Sequence, residues 1–194
     1  MNSHPSDDKV LIDQYLSGNQ SCFEVLYKRH REKVFSSIYF LVRDRELAED
    51  LFQETFVKVI CTLRAGQYRE EGKFLPWVVR IAHNLVIDHF RKEKQMPKLR
   101  EREEYSIFDR MRNNEKNSQD LIAEEQQKAI LREMISRLPD EQREVLIMRM
   151  YGEMSFKEIA KVTGVSINTA LGRMRYALIH LRKVMDENKI NLYA

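Results

Sequence analysis

Residues Ser155 to Leu181 constrain the fold of this chain more than any other stretch. Ser155-Phe156-Lys157-Glu158 has the form of a capping box. In such a box the serine hydroxyl accepts from the Glu backbone N–H, and the Glu carboxylate reaches back to the serine N–H. A short helix follows through Val162, with Ile159 and Ala160 on one side. Gly164 makes a tight turn, and Ser166 caps a long final helix running to about Asp186. Leu171, Met174 and Leu178 form the predicted apolar stripe of that helix, and alanine at 160 lets the two helices approach closely. This is the pattern of a helix-turn-helix, whose second helix enters the major groove of DNA.

Charge is concentrated in the same place. The whole chain has 33 Lys and Arg against 30 Asp and Glu, a net charge of only +3. Between Lys157 and Lys183, however, six basic residues (Lys157, Lys161, Arg173, Arg175, Arg182 and Lys183) face a single acid, Glu158. From the Ser166 cap onward, Asn168, Thr169, Gly172, Arg175 and Tyr176 are the residues expected to face bases, with Arg173 and Arg149 available for phosphates. The plainer reading is a helical hairpin with a solvated basic face.

The rest of the chain also reads as helix. Six Gly and four Pro in 194 residues are too few for the turns of a sandwich or barrel. Ser21-Cys22-Phe23-Glu24 is a second capping-box pattern, followed by Phe23, Leu26, Tyr27, Val34, Phe35, Ile38, Tyr39 and Val42 at helical spacing. A helix from about Arg45 to Leu63 turns Ala48, Leu51, Phe52, Phe56, Val59, Ile60 and Leu63 inward, and Gly66 can end it in a left-handed conformation. After a polar loop, Gln67 to Lys73, another helix starts near Phe74 with Pro76 in its first turn, where the missing N–H costs nothing. Its stripe is Phe74, Trp77, Val78, Ile81, Ala82 and Leu85, and it must end before Pro97. From Gln95 to Asn117 the chain is charge-dense and lacks apolar periodicity, so it reads as a flexible linker. Tyr105, Ile107, Phe108 and Met111 within it suit either an incidental short helix or, the reading preferred, a segment that orders against a partner. Beyond it, Leu121, Ile122, Ile130, Leu131, Met134, Ile135 and Leu138 lie on one helix. Pro139 then stands at the first helical position of the next, which carries Val145, Leu146, Met148 and Met150. The expected fold is all-α: two small helical domains, residues 1–94 and 118–194, joined by the linker 95–117.

Two further surfaces stand out. On the helix after Phe74, Arg80, Asn84, Ile87, Asp88 and Arg91 share an outward face, extended by Lys92, Lys94, Lys98 and Arg100. Amide and guanidinium groups bond bases and phosphates, and nearby aromatic faces stack on unpaired bases. Beside the loop that holds Arg69 and Lys73, and beside Trp77, such a face suits single-stranded DNA; the plainer reading puts Trp77 in the core. The other surface is acidic. Asp44, Glu46, Glu49, Asp50 and Glu54 accompany a single base, Arg45, and Asp50, Gln53, Glu54 and Val57 share one exposed helical face. An acidic face repels DNA, so it is a candidate protein-binding surface; spacing alone fits an ordinary solvated helix equally well.

Other classes find little support. No stretch approaches the ~18 apolar residues of a membrane span, and the polar, acidic start of the chain is not a signal peptide. Cys22 and Cys61 cannot form a CxxC pair and fit a reducing compartment. His30 lies on the apolar side of its helix and reads as a packed histidine; His83 and His89 are poorly spaced for a metal. No Walker loop, nucleophile elbow or HExxH is present, so no catalytic, metal or cofactor-binding residue is assigned and no enzyme is expected.

In this order the segments resemble the extracytoplasmic-function (ECF) branch of the sigma-70 family of bacterial RNA polymerase sigma factors. Glu49-Asp50-Leu51-Phe52-Gln53-Glu54-Thr55-Phe56 is similar to the family's region 2.2. Phe74-x-x-Trp77-x-x-x-Ile81-Ala82-x-Asn84-x-x-x-Asp88-x-x-Arg91 is similar to regions 2.3 and 2.4. Leu138-Pro139-x-x-x-Arg143-x-Val145-Leu146 and Ser155-x-x-Glu158-Ile159-Ala160 are similar to region 4. The resemblance implies that Asp50, Gln53, Glu54 and Val57 dock on core RNA polymerase. It implies that Arg69, Lys73, Trp77, Arg80, Asn84, Asp88, Arg91 and Lys92 engage the single-stranded −10 promoter element, the 67–73 loop capturing a flipped base. It implies that Arg149, Ser166, Asn168, Thr169, Gly172, Arg173, Arg175 and Tyr176 serve the duplex −35 element. The 23-residue linker reaches up to roughly 75 Å, enough for two turns of duplex at ~34–36 Å each. An anti-sigma factor is the implied inhibitory partner, with no small-molecule substrate, and the implied site is the cytoplasm or the inner face of a membrane that anchors the inhibitor. The recognition helix departs from the usual pattern at Ala170-Leu171, and Gly172 leaves one groove-facing position bare, so the −35 preference does not carry over. Two other readings remain at this stage: a stand-alone helix-turn-helix regulator with a sensing N-terminal domain, and a helical metal-dependent hydrolase.

Overall fold

The computed structural model of the chain describes residues 7–69, 72–95 and 130–187, and among them every regular element is a helix. Four come first: α1 (Asp8–Leu16), α2 (Gln20–Val42), α3 (Arg45–Arg64) and α4 (Phe74–Gln95). Residues 130–136 are helical, and α5 (Asp140–Met150), α6 (Phe156–Thr163) and α7 (Ile167–Glu187) follow. Most of the expected linker, with Tyr105, Ile107, Phe108 and Met111, lies outside the described residues, as do Lys98, Arg100, Leu121 and Ile122.

Helix α1 has too short an apolar set to stand out in the sequence: Leu11, Ile12 and Tyr15 are its buried residues. Tertiary contacts hold it. The Asp8 carboxylate accepts from Arg29 at 2.5 Å and pairs with His30 Nε2 at 2.8 Å. Burial raises the Asp8 pKa, but His30 and Arg29 more than offset this and leave it below the usual carboxylate value. His30 is buried against the Phe74 ring, as a packed histidine should be.

The capping box expected at Ser21 does not form. Helix α2 already begins at Gln20, so Ser21 sits inside the first turn, and its hydroxyl donates to Asn19 Oδ1 at 2.6 Å. At the start of α3, Asp44 accepts from the Leu47 N–H at 3.0 Å. Gly66 closes the end of α3 with φ +65°, the left-handed geometry that glycine adopts at low cost. Leu26, Val34, Ile38, Ala48, Val59 and Val78 are fully buried where α2, α3 and α4 meet. Tyr27, Phe35, Phe52 and Phe56 pack at tilted and edge-on angles around them.

In the C-terminal set, Ser155 and Glu158 form the expected capping box, and Gly164 takes φ 69° at the end of α6. Pro139 precedes α5 rather than occupying its first turn, and its carbonyl accepts from the Arg143 N–H at 2.9 Å. Arg143 is buried and donates to the Leu138 carbonyl at 3.0 Å and to Asp140 at 2.5 Å. The apolar stripe of α7 is shifted from the sequence reading. Leu171 and Leu178 are exposed, whereas Ala170 and Ala177 are fully buried, with Met174 and Leu181 beside them. Met150 and Leu131 are also exposed, and Ile147 takes the inward place on α5.

The two helical sets share one core. Val145, Met148, Met154, Ile159, Ala160 and Ala170 join the same buried cluster as α2, α3 and α4. In return, Phe40 of α2 is buried among Ile135, Leu138, Leu146, Ile147 and Ala177, its ring centroid 5.3 Å from that of Tyr151. Burial of such a side chain contributes about 1.5–3 kcal/mol. This contact explains why α4 buries Val79 and His83 as well as its predicted stripe: that second face meets the C-terminal set.

Candidate nucleic-acid interface

Helix α7 presents the first candidate surface. The Thr169 N–H donates to Ser166 Oγ at 3.0 Å, so the serine holds the start of the helix as its type predicts. The Ser166 and Thr169 hydroxyls also share a hydrogen bond at 2.9 Å. Asn168, Thr169, Arg175 and Tyr176 are exposed, and by helical spacing they share a face with Gly172. A Cβ placed on Gly172 would meet nothing within 4 Å. Arg173 is half-buried. Arg149 is committed in part: it donates to the Met154 carbonyl at 2.9 Å, and its guanidinium lies 5.5 Å from the Phe156 ring centroid. It therefore braces the turn before α6, and only its remaining donors are available to a phosphate.

Helix α4 presents the second. Arg80, Asn84, Ile87, Arg91 and Lys92 are exposed, and Asp88 is half-buried. Arg91 donates to Asp88 at 2.6 Å, which fixes both side chains on the surface. Trp77 is neither core nor fully exposed. It is half-buried, with its ring centroid 4.4 Å from that of Tyr68 and 5.8 Å from that of Phe74. Clustered, mutually tilted aromatic rings beside exposed guanidinium groups offer both a platform for an unpaired base and donors for a backbone.

The third surface lies on α3. Asp50, Gln53, Glu54 and Val57 are all exposed, Val57 to 59%, so the shared face read from their spacing is present. Arg45 pairs with Glu49 at 2.9 Å and Lys58 with Glu54 at 3.5 Å, which leaves the face acidic at its centre.

A feature absent from the sequence reading joins the α4 surface to the helix-turn-helix. Arg69, Lys73, Trp77 and Arg80 line a cavity of about 360 Å³ whose opposite wall is Met154, Glu158, Lys161 and Val162. Four cations and one carboxylate face it. Lys73 Nζ donates to Glu158 Oε1 at 2.8 Å across the gap. Burial raises the Glu158 pKa, but the Lys73 ammonium, the Ser155 hydroxyl and the Ser155 backbone N–H together hold it at about 2. These residues are 85 positions apart, and no local pattern signals their contact. Among the described residues no cluster of His, Cys, Asp and Glu could hold a metal ion, and no helix is long and apolar enough to cross a membrane.

Comparison with known proteins places these surfaces in a family context. Residues 26–96 match Sigma-70 region 2 and residues 128–181 match Sigma-70 region 4, together well over half the chain. The ECF RNA polymerase sigma factor BldN of Streptomyces coelicolor is 31% identical over 157 residues, which are 79% of this chain and 56% of that relative. This chain thus spans little more than half the length of that protein. The RNA polymerase sigma factor CarQ of Myxococcus xanthus is 26% identical over 93% of this chain and 99% of its own. Among solved structures, the fold is similar to CnrH in complex with the cytosolic domain of CnrY (TM-score 0.61, 24% identity, 94% of this chain and 99% of that one). It is also similar to the sigma factor RpoE of Bartonella quintana in complex with the anti-sigma factor NepR (TM-score 0.62, 20% identity, 84% and 96%).

Proposed function

We propose a division of labour for this chain, which belongs to the sigma-70 family of RNA polymerase sigma factors, with the ECF members among its relatives. It is a transcription initiation factor that binds core RNA polymerase and directs it to a subset of promoters. Residues 1–94 serve polymerase and the −10 element, residues 95–117 span between, and residues 118–194 read the −35 element. One observation carries the reading: an exposed acidic face on α3 beside two separate basic faces on α4 and α7. A stand-alone regulator needs one DNA surface and no acidic dock.

Asp50, Gln53, Glu54 and Val57 are the polymerase contact. Arg69, Lys73, Trp77, Arg80, Asn84, Asp88, Arg91 and Lys92 hold the opened −10 strand. Binding unpaired bases better than paired ones shifts the duplex toward the open state, and that requires differential affinity rather than covalent chemistry. Asn168, Thr169, Arg175 and Tyr176 read the −35 duplex, with Arg173 and part of Arg149 on phosphates. Such a factor acts in the cytoplasm, where polymerase is. RpoE of Bartonella quintana was solved with an anti-sigma factor and CnrH with a cytosolic domain of its partner, and this supports an inhibitory protein partner here too, membrane-held in some settings.

The test is co-elution with purified bacterial core RNA polymerase on size exclusion. The chain is expected to co-elute, and Asp50→Ala is expected to lose the complex while duplex binding is unaffected. Failure of the unmodified chain to co-elute, with DNA binding retained, overturns the reading in favour of a stand-alone regulator.

A further inference from the structure

We infer that the cavity between the start of α4 and α6 binds a free nucleoside polyphosphate, its base against Trp77 and Tyr68 and its phosphates on Arg69, Arg80 and Lys161. The site does not depend on the −10 assignment, because it needs the α6 wall, to which that assignment gives no part.

Size and lining select this class of ligand. A volume of about 360 Å³ lies at the small end of the ~300–1,000 Å³ span of small-molecule sites, and it suits one nucleotide rather than a length of strand. The rings of Tyr68 and Trp77 line it, with centroids 4.4 Å apart and planes inclined at 46°. Phe74 is buried beside both, its centroid 6.0 Å from that of Tyr68 and 5.8 Å from that of Trp77, and so fixes the pair. A half-buried indole on a fixed support is a seat for a planar base.

Charge selects the rest of the ligand. The single carboxylate of the cavity is already engaged at both oxygens. Glu158 Oε1 accepts from Lys73 at 2.8 Å, and Oε2 accepts from the Ser155 N–H at 2.9 Å and from its hydroxyl at 2.6 Å. Lys73 is thereby tied down as well. Arg69, Arg80 and Lys161 are exposed, and among the described residues none of the three forms an ion pair. Three uncompensated cations around one concavity repel one another. An anion that concentrates several charges relieves that repulsion, and guanidinium groups match phosphate oxygens two at a time. A DNA strand spreads its phosphates along its length, one for each nucleotide, so it matches the cluster less well than a polyphosphate does.

Lys161 separates the free nucleotide from the strand, since it stands on the α6 wall and belongs to neither promoter assignment. Its side chain is exposed, so its replacement leaves the fold intact. Trp77 is the only tryptophan of the chain, and its emission reports occupancy directly.

The experiment titrates the full chain, in magnesium-free buffer, with ATP, GTP, inorganic tripolyphosphate and adenosine. Binding is read by calorimetry and by Trp77 emission. Both nucleotides are expected to bind at one site, to quench Trp77 and to weaken with added salt. Tripolyphosphate and adenosine are each expected to bind about tenfold more weakly, because each keeps only half of the contacts. Lys161→Ala is expected to weaken ATP by about tenfold, and Lys161→Arg to restore it. Affinity for a fluorescein-labelled single-stranded DNA of randomised sequence is expected to be unchanged in Lys161→Ala. Absence of saturable binding by either nucleotide overturns the site. Equal affinity for tripolyphosphate and ATP overturns the base seat. Full ATP affinity in Lys161→Ala, or an equal loss of strand and ATP affinity, overturns the free-nucleotide site in favour of a site for the strand alone. Failure of strand binding in the unmodified chain counts against the −10 assignment and leaves the ATP result to stand by itself.

Discussion

Two glycines of the helix-turn-helix should respond oppositely to the same substitution. Gly172 lies inside α7, its φ is outside the left-handed region, and an added Cβ meets nothing within 4 Å. Alanine there keeps the native backbone, adds no clash and restricts the unfolded chain. Glycine in a helix interior is about 0.8–1.0 kcal/mol worse than alanine, so Gly172→Ala should stabilise by about 1 kcal/mol. For a chain of this size that raises Tm by about 2–4 °C. Gly164 also has open space around a Cβ, but its φ of 69° is left-handed. An L-residue in that geometry costs roughly 1–2 kcal/mol, so Gly164→Ala should lower Tm by about 2–8 °C. Space is the same at the two positions and backbone is not, so the sign of the effect isolates the conformational term. Urea titrations followed by far-UV circular dichroism give the midpoint and slope, and an unchanged slope shows that stability moved without a change in the surface exposed on unfolding. A fall in stability for Gly172→Ala, or a rise for Gly164→Ala, would falsify this account of the turn. The same Gly172→Ala protein serves as a DNA probe: if this face enters the groove, its −35 preference changes although its fold is firmer.

Other outcomes follow from the same geometry. Arg175→Ala should weaken −35 duplex binding and relax preference at one base pair by about 1–3 kcal/mol if the guanidinium bonds a guanine edge; affinities for all single-base variants of one site test this, and a flat profile refutes the contact. Arg143→Ala strips the Leu138 carbonyl of its buried donor and should cost about 1–3 kcal/mol, read as a lower urea midpoint. The Glu158 pKa is depressed to about 2 from 4.5, so its stabilisation is present above pH 4.5 and lost as pH falls toward 2. Unfolding between pH 5 and 3 should therefore be shallower in Glu158→Gln than in the unmodified chain, although Asp8, also lowered, titrates in both. Equal slopes in the two proteins count against the Lys73 and Ser155 contacts.

Local chemistry explains what could be read from the sequence and what could not. The Ser155–Glu158 box, the Gly164 and Gly66 turns and the exposed row Asp50, Gln53, Glu54 and Val57 depend on neighbours within four residues, and the structure contains each. Ser21 shows the limit of the same logic: its pattern is right, but α2 is capped at Asn19, two residues earlier, which puts the Ser21 hydroxyl inside the first turn. Leu171 and Leu178 were misread for a different reason. A leucine is the better hydrophobe, yet it is Ala170 and Ala177 that are fully buried, Ala177 among Phe40, Leu146 and Ile147, and which face of α7 meets those partners is a property of several helices together.

Sequence alone therefore determined the helical class, the starts and ends of most elements and the three candidate surfaces, because capping, periodicity and turn geometry are encoded within a few residues of where they act. Only the tertiary structure decided that Phe40 enters the C-terminal core, that Lys33 meets Glu153 120 positions away, and that Lys73 and Glu158 close the cavity over Trp77. Such pairs leave no periodic trace. They form because burying the shared apolar surface brings the two helical sets together, and the charged residues at the rim then find partners that their own neighbourhoods do not supply.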